Sequence, residues 1–424
     1  MKKYILLFFC LSFSVLAKEQ NLEEMLETFS INSYEEEKYE LQQKGLLLKE
    51  QHIRRRDFQD GLVATAEYNE NHRTGERNDY TKKGTLQFGP FFASAYNTAE
   101  KKGDSVGIGI EKNIKDLFYS KYDSQEEQIK WQKKADFWSY QNNRQKKMIS
   151  LIQLYRDYKN TLYELEVKYQ ESKRLEKEEE KLKLSYRLGK AKKIDWQAAN
   201  LGLKNLKLEI SVSEKQKKAY QERFLREFRI SLPEDKLQEI PLLEINIDDF
   251  MEDYGKAELE ERKAKLKMQE EGLKYSLYEE KIPDINIRYE HISKNQKRDA
   301  EDVVSMKLSK KLFSDRYSSQ KEENEIKEEK LLLQQREEEI AAERKQERVN
   351  YDNYLSKYQV AQNHFQLENS KYEIKKLEYD LGKVDYIEVM EAFDKYLEAK
   401  ISLEKARNTL AAYLYEWKIR KVQA

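Results

Sequence analysis

Two long segments of the chain carry apolar residues at spacings that alternate between three and four. In the first the apolar positions are Met148, Leu151, Tyr155, Tyr158, Leu162, Leu165 and Tyr169. In the second they are Val389, Ala392, Tyr396, Ala399, Leu403, Ala406, Leu410, Tyr413 and Trp417. This heptad spacing is typical of coiled-coil helices. No proline occurs from residue 91 to 232 or after Pro283, so a helix over residues 121–187, roughly 100 Å long at about 1.5 Å per residue, is expected.

The composition fits long solvated helices. Charged residues make up 37% of the 424 residues, while glycine (13) and proline (4) are scarce. Lys plus Arg and Asp plus Glu each number 79, so no basic excess attracts nucleic acid. This charge density excludes a helical membrane transporter. No segment after the N-terminus has the roughly 20 apolar residues of a spanning helix, so any membrane insertion is expected to use β-strands.

Two patches replace the helical pattern with alternation. Seven of the 13 glycines fall between residues 61 and 109, and apolar residues alternate over Leu62–Tyr68 and Val106–Ile110. A second patch alternates over Ile285–Leu308 around a polar loop, Ser293–Asp302. Alternation between turn residues predicts strands, at about 58–117 and 284–312. The first patch is longer, and its excess is consistent with an added β-hairpin between about 80 and 100, so its strand count stays open.

The chain reads as an internal duplication. The order helix, strand patch, long helix, short break, helix occurs twice. The sequence from Leu117 to Gln125 matches that from Leu312 to Gln320 at an offset of 195, and Tyr186-x-Leu-Gly matches Tyr379-x-Leu-Gly at an offset of 193. These motifs do not follow from heptad spacing, so they indicate a true repeat. We predict a first repeat at 18–230, a linker at 231–250 and a second repeat at 251–424.

Each repeat has a glycine within its long helical region, Gly189 and Gly382, three residues after Tyr186 and Tyr379. Glycine tolerates the positive φ that ends a helix or turns the chain. We therefore predict a helical hairpin tip near 189 and another near 382. The alternative is a glycine tolerated inside a continuous helix.

Residues 1–17 have the pattern of a signal peptide. Lys2 and Lys3 precede a short apolar run, and Val15-Leu16-Ala17 resembles a cleavage site, so Lys18 is the expected mature N-terminus. An uncleaved anchor is the alternative. Cys10 lies within the apolar run after Phe9, which argues against lipidation. The mature chain would contain no cysteine, and hence neither a disulfide nor a thiol nucleophile.

The repeated motif resembles that of the TolC family of outer-membrane efflux proteins. That family's pattern is Tyr-x-x-Gly, an acidic residue six positions after the glycine, alanine four later, then apolar residues. In the first copy the matching residues are Tyr186, Gly189, Asp195, Ala199, Leu203 and Ile210. In the second they are Tyr379, Gly382, Glu388, Ala392, Tyr396 and Leu403. The similarity extends over nearly the whole mature chain.

The resemblance implies a mostly α-helical fold with a membrane β-barrel portion. Long coiled-coil hairpins would form a periplasmic tube, and a homotrimer would close the barrel with four strands per chain in outer-membrane lipid. A patch of a few strands with open edges is not stable alone in lipid, which also favours closure with further copies. The implied function is passive conduction from the periplasm to the exterior. The implied partners are a periplasmic adaptor and an inner-membrane efflux or secretion pump.

The resemblance also implies an acidic aperture at the hairpin tips. Asp195 lies there in the first copy, and Asp385, Glu388 and Glu391 in the second. Glu388 and Glu391 are three residues apart and share a helix face, so a trimer would gather six carboxylates that favour cations. The alternative is that these are ordinary solvated charges. The basic residue that the family has beside this ring is replaced by Val384, so the closing network is expected to differ.

Other functional classes find less support. His52, His72, His291 and His364 lack metal-ligand spacing, and no phosphate loop or nucleophile–base pattern indicates a cofactor or catalysis. Arg54, Arg55 and Arg56 are expected either to touch lipid headgroups or to be plain solvated charges. Two other functions stay open. A secreted trimeric coiled-coil adhesin or scaffold does not require two strand patches, and a periplasmic adaptor has one helical hairpin.

Both polar loops, Asn69–Asp79 and Ser293–Asp302, are expected to face the exterior.

Overall fold

The computed structural model describes residues 21–32, 34–58, 61–71, 79–98, 104–232, 237–294, 299–310 and 317–421. The predicted signal peptide and Lys18 lie outside these ranges. The helices are α1 (Leu22–Asn32), α2 (Tyr34–Arg54), α3 (Lys115–Phe118), α4 (Lys121–Arg187), α5 (Lys193–Phe228), α6 (Lys256–Lys281), α7 (Tyr317–Asp380) and α8 (Tyr386–Arg420). The strands are β1 (Leu62–Asn71), β2 (Asp79–Phe88), β3 (Phe91–Thr98), β4 (Ser105–Asn113), β5 (Asp284–Ile292) and β6 (Glu301–Ser309).

The chain divides into two compact units, each of which combines parts of both predicted repeats. One unit comprises the described parts of Met1–Glu37, Gln141–Lys256 and Ile340–Ala424. The other comprises those of Lys38–Tyr140 and Ala257–Glu339. We call them the hairpin unit and the sheet unit. None of the helices in the described ranges is both long and apolar enough to cross a membrane.

The sheet unit contains one antiparallel sheet of six strands in the order β1-β2-β3-β4-β5-β6. Strand β4 of the first repeat pairs with β5 of the second, with Ile110 opposite Tyr289. The four strands per chain implied by the resemblance are therefore too few, because β2 and β3 form an additional hairpin. Its two-residue turn is Gly89-Pro90, where Gly89 has φ +59° and a Cβ would come within 2.5 Å of the Phe58 ring. Glycine is the residue that fits such a turn.

The two faces of this sheet differ in polarity. The apolar face carries Leu62, Ala64, Ala66, Leu86, Phe88, Phe91, Ala93, Val106, Ile108, Ile110, Ile285, Ile287, Tyr289, Val304, Met306 and Leu308, with Lys82, Lys112 and His291 as polar positions among them. The other face is mainly polar and carries Thr65, Glu67, Lys83, Thr85, Gln87, Ser94, Tyr96, Glu111, Arg288, Glu290, Ser305 and Lys307, together with the apolar Val63, Phe92, Ile292 and Val303. We call it the polar face. Within this chain most of the large residues on the apolar face are exposed, among them Ile108 (62%) and Val304 (72%). A strand alternates in this way when its two sides meet different surroundings.

The polar face is held together by a buried carboxylate. Glu290 of β5 accepts hydrogen bonds from Ser94 Oγ, from Tyr96 OH at 2.7 Å and from Arg288 Nη2 at 2.9 Å. These side chains cross β4 where it carries Gly107, whose Cβ would come 2.5 Å from the Glu290 carboxylate. Glycine is required here because any side chain would push the Glu290 carboxylate away from its hydrogen-bond partners.

The strands are longer than the predicted loops allow. Asn69–Asn71 belongs to β1, Asp79 to β2, and Glu301 and Asp302 to β6. Of the remaining loop residues, 72–78 and 295–298 lie outside the described ranges. The last residues of β1, β3 and β5 lie at the same end of the sheet along the strand direction. The Gly89-Pro90 turn lies at the other end.

The hairpin unit contains helices α1, α5 and α8, with parts of α4 and α7. Its main core joins residues from α1, α4, α5 and α8, including Phe29, Tyr155, Phe224 and Tyr415. The predicted linker packs onto this core, because Ile240 is fully buried and Tyr155 OH donates to the Gln238 carbonyl at 2.7 Å. A second cluster surrounds Trp417, which is 0% exposed. The last heptad positions of α8, Leu410, Tyr413 and Trp417, are thus buried in packed core.

Candidate functional site

Two helix-ending turns of the same geometry form the candidate site in the hairpin unit. Gly189 follows α4 and Gly382 follows α7, and both have φ +71°. Gly189 N–H donates to the Tyr186 carbonyl at 3.0 Å, and Gly382 N–H donates to that of Tyr379 at 2.8 Å. The next residue, a lysine in both turns, donates five positions back at 2.8 Å. This is the Schellman pattern, so the Tyr-x-x-Gly motif is explained by a glycine at the left-handed position.

Aromatic side chains cover both turns. Tyr186 stacks on Trp196 with ring centroids 5.9 Å apart and an interplanar angle of 10°. Tyr379 meets Tyr386 edge-on at 5.8 Å. The Trp196 indole N–H also donates to Glu179 at 2.6 Å. Each turn is therefore fixed by its own side chains as well as by its backbone.

Among the contacts between the hairpin α4–α5 and the hairpin α7–α8, two involve residues at the start of α8. The Tyr386 hydroxyl donates to the Glu178 carboxylate. Lys192 Nζ, before α5, lies 3.5 Å from Asp385 Oδ2, before α8, and both side chains are about 70% exposed. A solvated pair of this kind contributes little stability, so the buried Tyr386 contact is the stronger of the two.

A larger charged cluster lies next to Tyr386. Arg174 of α4 donates to Glu171 at 2.8 Å and 2.9 Å and to Glu178 at 2.9 Å. The Arg174 guanidinium also lies 3.7 Å from the centre of the Phe393 ring of α8. One arginine thus neutralises two carboxylates and packs on the opposite hairpin, a use for which its planar guanidinium is suited.

The surroundings shift several pKa values in this cluster. Burial raises the pKa of Glu171, despite its bonds with Arg174. Burial and the hydrogen bond to Glu178 raise the pKa of Tyr386 well above its usual range, so its hydroxyl remains a donor. Burial also raises the pKa of Tyr379, to which the nearby Asp195 charge contributes. The hydroxyls here are therefore protonated donors at neutral pH.

The structure places the four predicted aperture carboxylates as follows. Asp195 is half-buried in the first turn of α5. Asp385 is the exposed N-cap of α8 and pairs with Lys192. Glu388 is exposed, and its Oε2 lies 3.0 Å from Lys375 Nζ of α7. Glu391 is exposed and has no ion pair within the described part of the chain.

The basic groups at this site were not predicted. No basic residue stands at Val384, and the positive charges come instead from Arg174, Lys192 and Lys375. The spacing of Arg174 from Glu171 and Glu178, three and four residues, was a readable sign of local ion pairs. Its packing on Phe393 had no local signal in the sequence. Among the described residues, no group of three or more His, Cys, Asp or Glu side chains is arranged to hold a metal ion.

Comparison with solved structures finds similar folds over nearly the full length of the chain. A membrane protein from Pseudomonas aeruginosa matches with a TM-score of 0.68 and 14% identity, over 94% of this chain and 93% of that one. The outer membrane protein VceC from Vibrio cholerae matches with a TM-score of 0.65 and 11% identity, over 93% and 95%. The open state of the MtrE outer membrane channel of Neisseria gonorrhoeae matches with a TM-score of 0.66 and 12% identity, over 94% and 88%.

No model of a known protein family matches the sequence, and no curated protein matches it either. The similarity is therefore one of structure at low sequence identity. It establishes the fold: this chain has the fold of outer-membrane channel proteins, with long helices and an antiparallel sheet.

Proposed function

We propose that this protein is an outer-membrane channel that conducts substrates passively from the periplasm to the exterior. The observation that carries the proposal is the two-faced sheet within a fold shared with outer-membrane channels. The apolar face would contact lipid and the polar face would line a water-filled passage. Transmembrane β-strands alternate in this way because each one separates hydrocarbon from an aqueous interior.

The exposed side chains of the apolar face support contact with lipid. Met306 and Leu308 of β6 are 69% and 63% exposed, and Leu62 of β1 is 69% exposed. Monomeric soluble proteins rarely expose a continuous apolar surface of this extent. A bilayer covers it without requiring a partner protein of matching shape.

The hairpin tips supply a closure for such a passage. The Tyr386–Glu178 and Lys192–Asp385 contacts hold the two hairpins of one chain together. Opening requires these contacts to separate, and the exposed Glu391 and Glu388 would then border the entrance. We propose that the tips are the periplasmic gate and that its carboxylates favour cations.

The proposed assembly is a homotrimer with the helical part in the periplasm. A periplasmic adaptor would connect the tips to an inner-membrane efflux or secretion pump, which supplies the driving force. No enzymatic step, cofactor or nucleic acid takes part in this function. The structural relatives are channels by name, and their role comes to this chain by fold and by the arrangement of its own residues.

Membrane fractionation with matched variants tests the proposal. Wild-type protein should be recovered in the outer membrane as heat-resistant trimers. Met306→Arg places a charge on the apolar face, which costs about 2–4 kcal/mol at mid-bilayer, and should abolish trimer assembly. Ser305→Arg, one residue away on the polar face, should assemble. Soluble periplasmic protein would favour the adaptor, and protein secreted from the cell would favour the adhesin.

A further inference from the structure

The sheet has two open edges at the ends of the six-strand order. Strand β1 pairs with β2 alone, and β6 pairs with β5 alone, among the strands that the structure describes. Each edge strand is long, with 10 residues in β1 and 9 in β6. In lipid an unpaired edge of this length would leave its backbone N–H and C=O groups unsatisfied. Both edges therefore require a partner strand.

A second copy of the sheet supplies partners for both edges. Strands alternate in direction across the sheet, so β1 and β6 run opposite ways. The β1 edge of one copy can then pair antiparallel with the β6 edge of the next. Ala64 and Ala66 share the apolar face with Val304 and Met306, so the lipid-facing surface continues across such a junction.

The register within the sheet has the stagger that a closed barrel needs. Following opposed residues across the sheet leads from Leu62 through Phe88, Phe91, Ile110 and Tyr289 to Val304. Leu62 is the first residue of β1, whereas Val304 is the fourth of β6. The strand midpoints therefore shift by about one residue per strand, which at about 3.3 Å rise and 4.8 Å spacing gives a tilt of about 35°. That tilt is within the range of closed barrels.

The hairpin β2–β3 is part of this wall. Its strands are paired on both sides: β2 with β1 over ten residues, including Thr85 opposite Thr65, and β3 with β4 over six, including Ser94 opposite Gly107. Ser94 also bonds to Glu290 of β5 across that strand. The hairpin is thus inserted between β1 and β4 rather than attached to an edge.

We propose that three copies close an 18-stranded barrel, with β1 of each copy against β6 of the next, and that the β2–β3 hairpin sets its width. This inference rests on the trimeric channel proposed above. Barrel diameter grows roughly linearly with strand number, so at this spacing and tilt the backbone diameter would be about 34 Å, against about 22 Å for the 12 strands that four per chain would give. The hairpin makes the outer exit about one and a half times as wide.

Cysteine pairs across the predicted junction test the closure. Thr65→Cys in β1 is combined with Ser305→Cys or Lys307→Cys in β6, all on the polar face. At least one pair should give disulfide-linked trimers on a denaturing gel, whereas each single variant should not. Linkage that ends at dimers would indicate a 12-stranded barrel of two copies and would overturn the proposal.

Labelling of the hairpin tests its place in the wall of the intact channel. Thr85→Cys should react with a water-soluble thiol reagent from inside the passage, and its neighbour Leu86→Cys should be protected by lipid. Equal labelling of both would show that the hairpin lies outside the barrel wall.

Deletion of the hairpin residues 79–98 leaves the loop residues that can join β1 to β4 in a four-strand sheet. The size of polymer that enters the exit from the exterior should fall by about a third in diameter for this variant. If the deletion variant assembles and still admits polymers of the same size as wild type, the hairpin does not set the width of the barrel. If the variant does not assemble, the cross-linking and labelling results decide. Wild-type protein without any channel activity would instead refute the proposed function.

Discussion

The hydroxyl of Tyr386 donates a hydrogen bond to the carboxylate of Glu178, and so joins α8 of the second repeat to α4 of the first. Tyr386 is 8% exposed, so water competes poorly for this bond. Its counterpart in the first repeat, at the 193 offset, is Lys193. The link between the hairpins is therefore a feature of one repeat only, although both repeats share the Tyr-x-x-Gly turn.

Tyr386→Phe should weaken closure of the tips. The substitution keeps the ring and removes only the hydroxyl. The charged Glu178 then loses a hydrogen bond, and hydrogen bonds to charged groups are worth about 1.5–3 kcal/mol. The ratio of open to closed channels should rise roughly tenfold to a hundredfold, measured as open probability in planar bilayers. Tyr379→Phe is the control, because the Tyr379 hydroxyl makes no hydrogen bond to the residues described. Equal open probabilities in wild type and Tyr386→Phe would exclude this contact from the gate.

Neutralising the exposed carboxylates should reduce cation selectivity. We expect Glu391→Gln to have the larger single effect, because Glu388 already pairs with Lys375 at 3.0 Å. The double variant Glu388→Gln with Glu391→Gln should also lose block by multivalent cations added on the periplasmic side. Reversal potentials in a salt gradient measure the selectivity.

Glu166→Gln is the matched control for this pair, since Glu166 is exposed on α4 and distant in sequence from the tips. Glu164 is unsuitable because it forms an ion pair with Lys405. Unchanged selectivity and block in the double variant would show that the two carboxylates are merely solvated.

Glu416→Gln should stabilise the protein at high pH. Glu416 is 8% exposed, and burial raises its pKa above the ordinary 4.5, although Gln153 donates to it at 3.0 Å. Because the pKa is raised in the folded state, the contribution of Glu416 to stability is fully present below pH 4.5. It is lost as the pH rises through the pKa that Glu416 has in the folded protein. The variant should therefore unfold at a higher temperature than wild type at pH 8, with a smaller difference at pH 5. A change of about 1 kcal/mol moves the Tm of a mid-sized domain by about 2–4 °C.

Glu227→Gln provides the opposite sign as a control. Burial opposes the shift, but hydrogen bonds from Arg223 and Arg226 lower the pKa of Glu227. Its charge therefore stabilises the fold above the ordinary pKa, and the variant should be less stable than wild type at pH 8. The same direction of change in both variants would contradict this electrostatic account.

The loops between strands should be accessible from outside the cell. Cysteine is placed at Lys294, two positions after the end of β5, and at Thr74, three positions after the end of β1. Asn295→Cys can replace Lys294→Cys. Both should react with an impermeant thiol reagent on intact cells. Lys190→Cys at the first tip should react only after the outer membrane is opened. The reverse pattern would invert the proposed topology.

The sequence predicts the helices and turns because their determinants are local. The expected helix at 121–187 coincides with α4 (Lys121–Arg187), and the glycines at 189 and 382 adopt the positive φ that the turn requires. The number of strands could not be counted from the pattern. On β2 the positions in the alternation of the apolar face are Tyr80, Lys82, Gly84, Leu86 and Phe88, so a lysine and a glycine interrupt the apolar pattern. A strand with so few apolar residues is recognised by its pairing partners, which lie elsewhere in the chain.

The contacts between the two hairpins could not be predicted from the sequence either. The contacts of Arg174 with Phe393 and of Glu178 with Tyr386 join residues more than 200 positions apart. Helical Glu and Arg residues are abundant in this chain, and nothing local distinguishes those that pair across hairpins. The resemblance implied an acidic aperture without the family's basic residue, whose place Val384 takes. The basic partners of the carboxylates here are Arg174 on α4 and Lys375 on α7.

Single-channel recording of the purified protein tests the account most directly. Wild-type protein in planar bilayers should give discrete, cation-selective conductance steps of low open probability. Tyr386→Phe should lengthen the open periods without changing the ion selectivity. Protein that inserts into the bilayer as trimers, yet passes no ions as wild type or as Tyr386→Phe, would contradict the conclusion that this chain forms a gated channel.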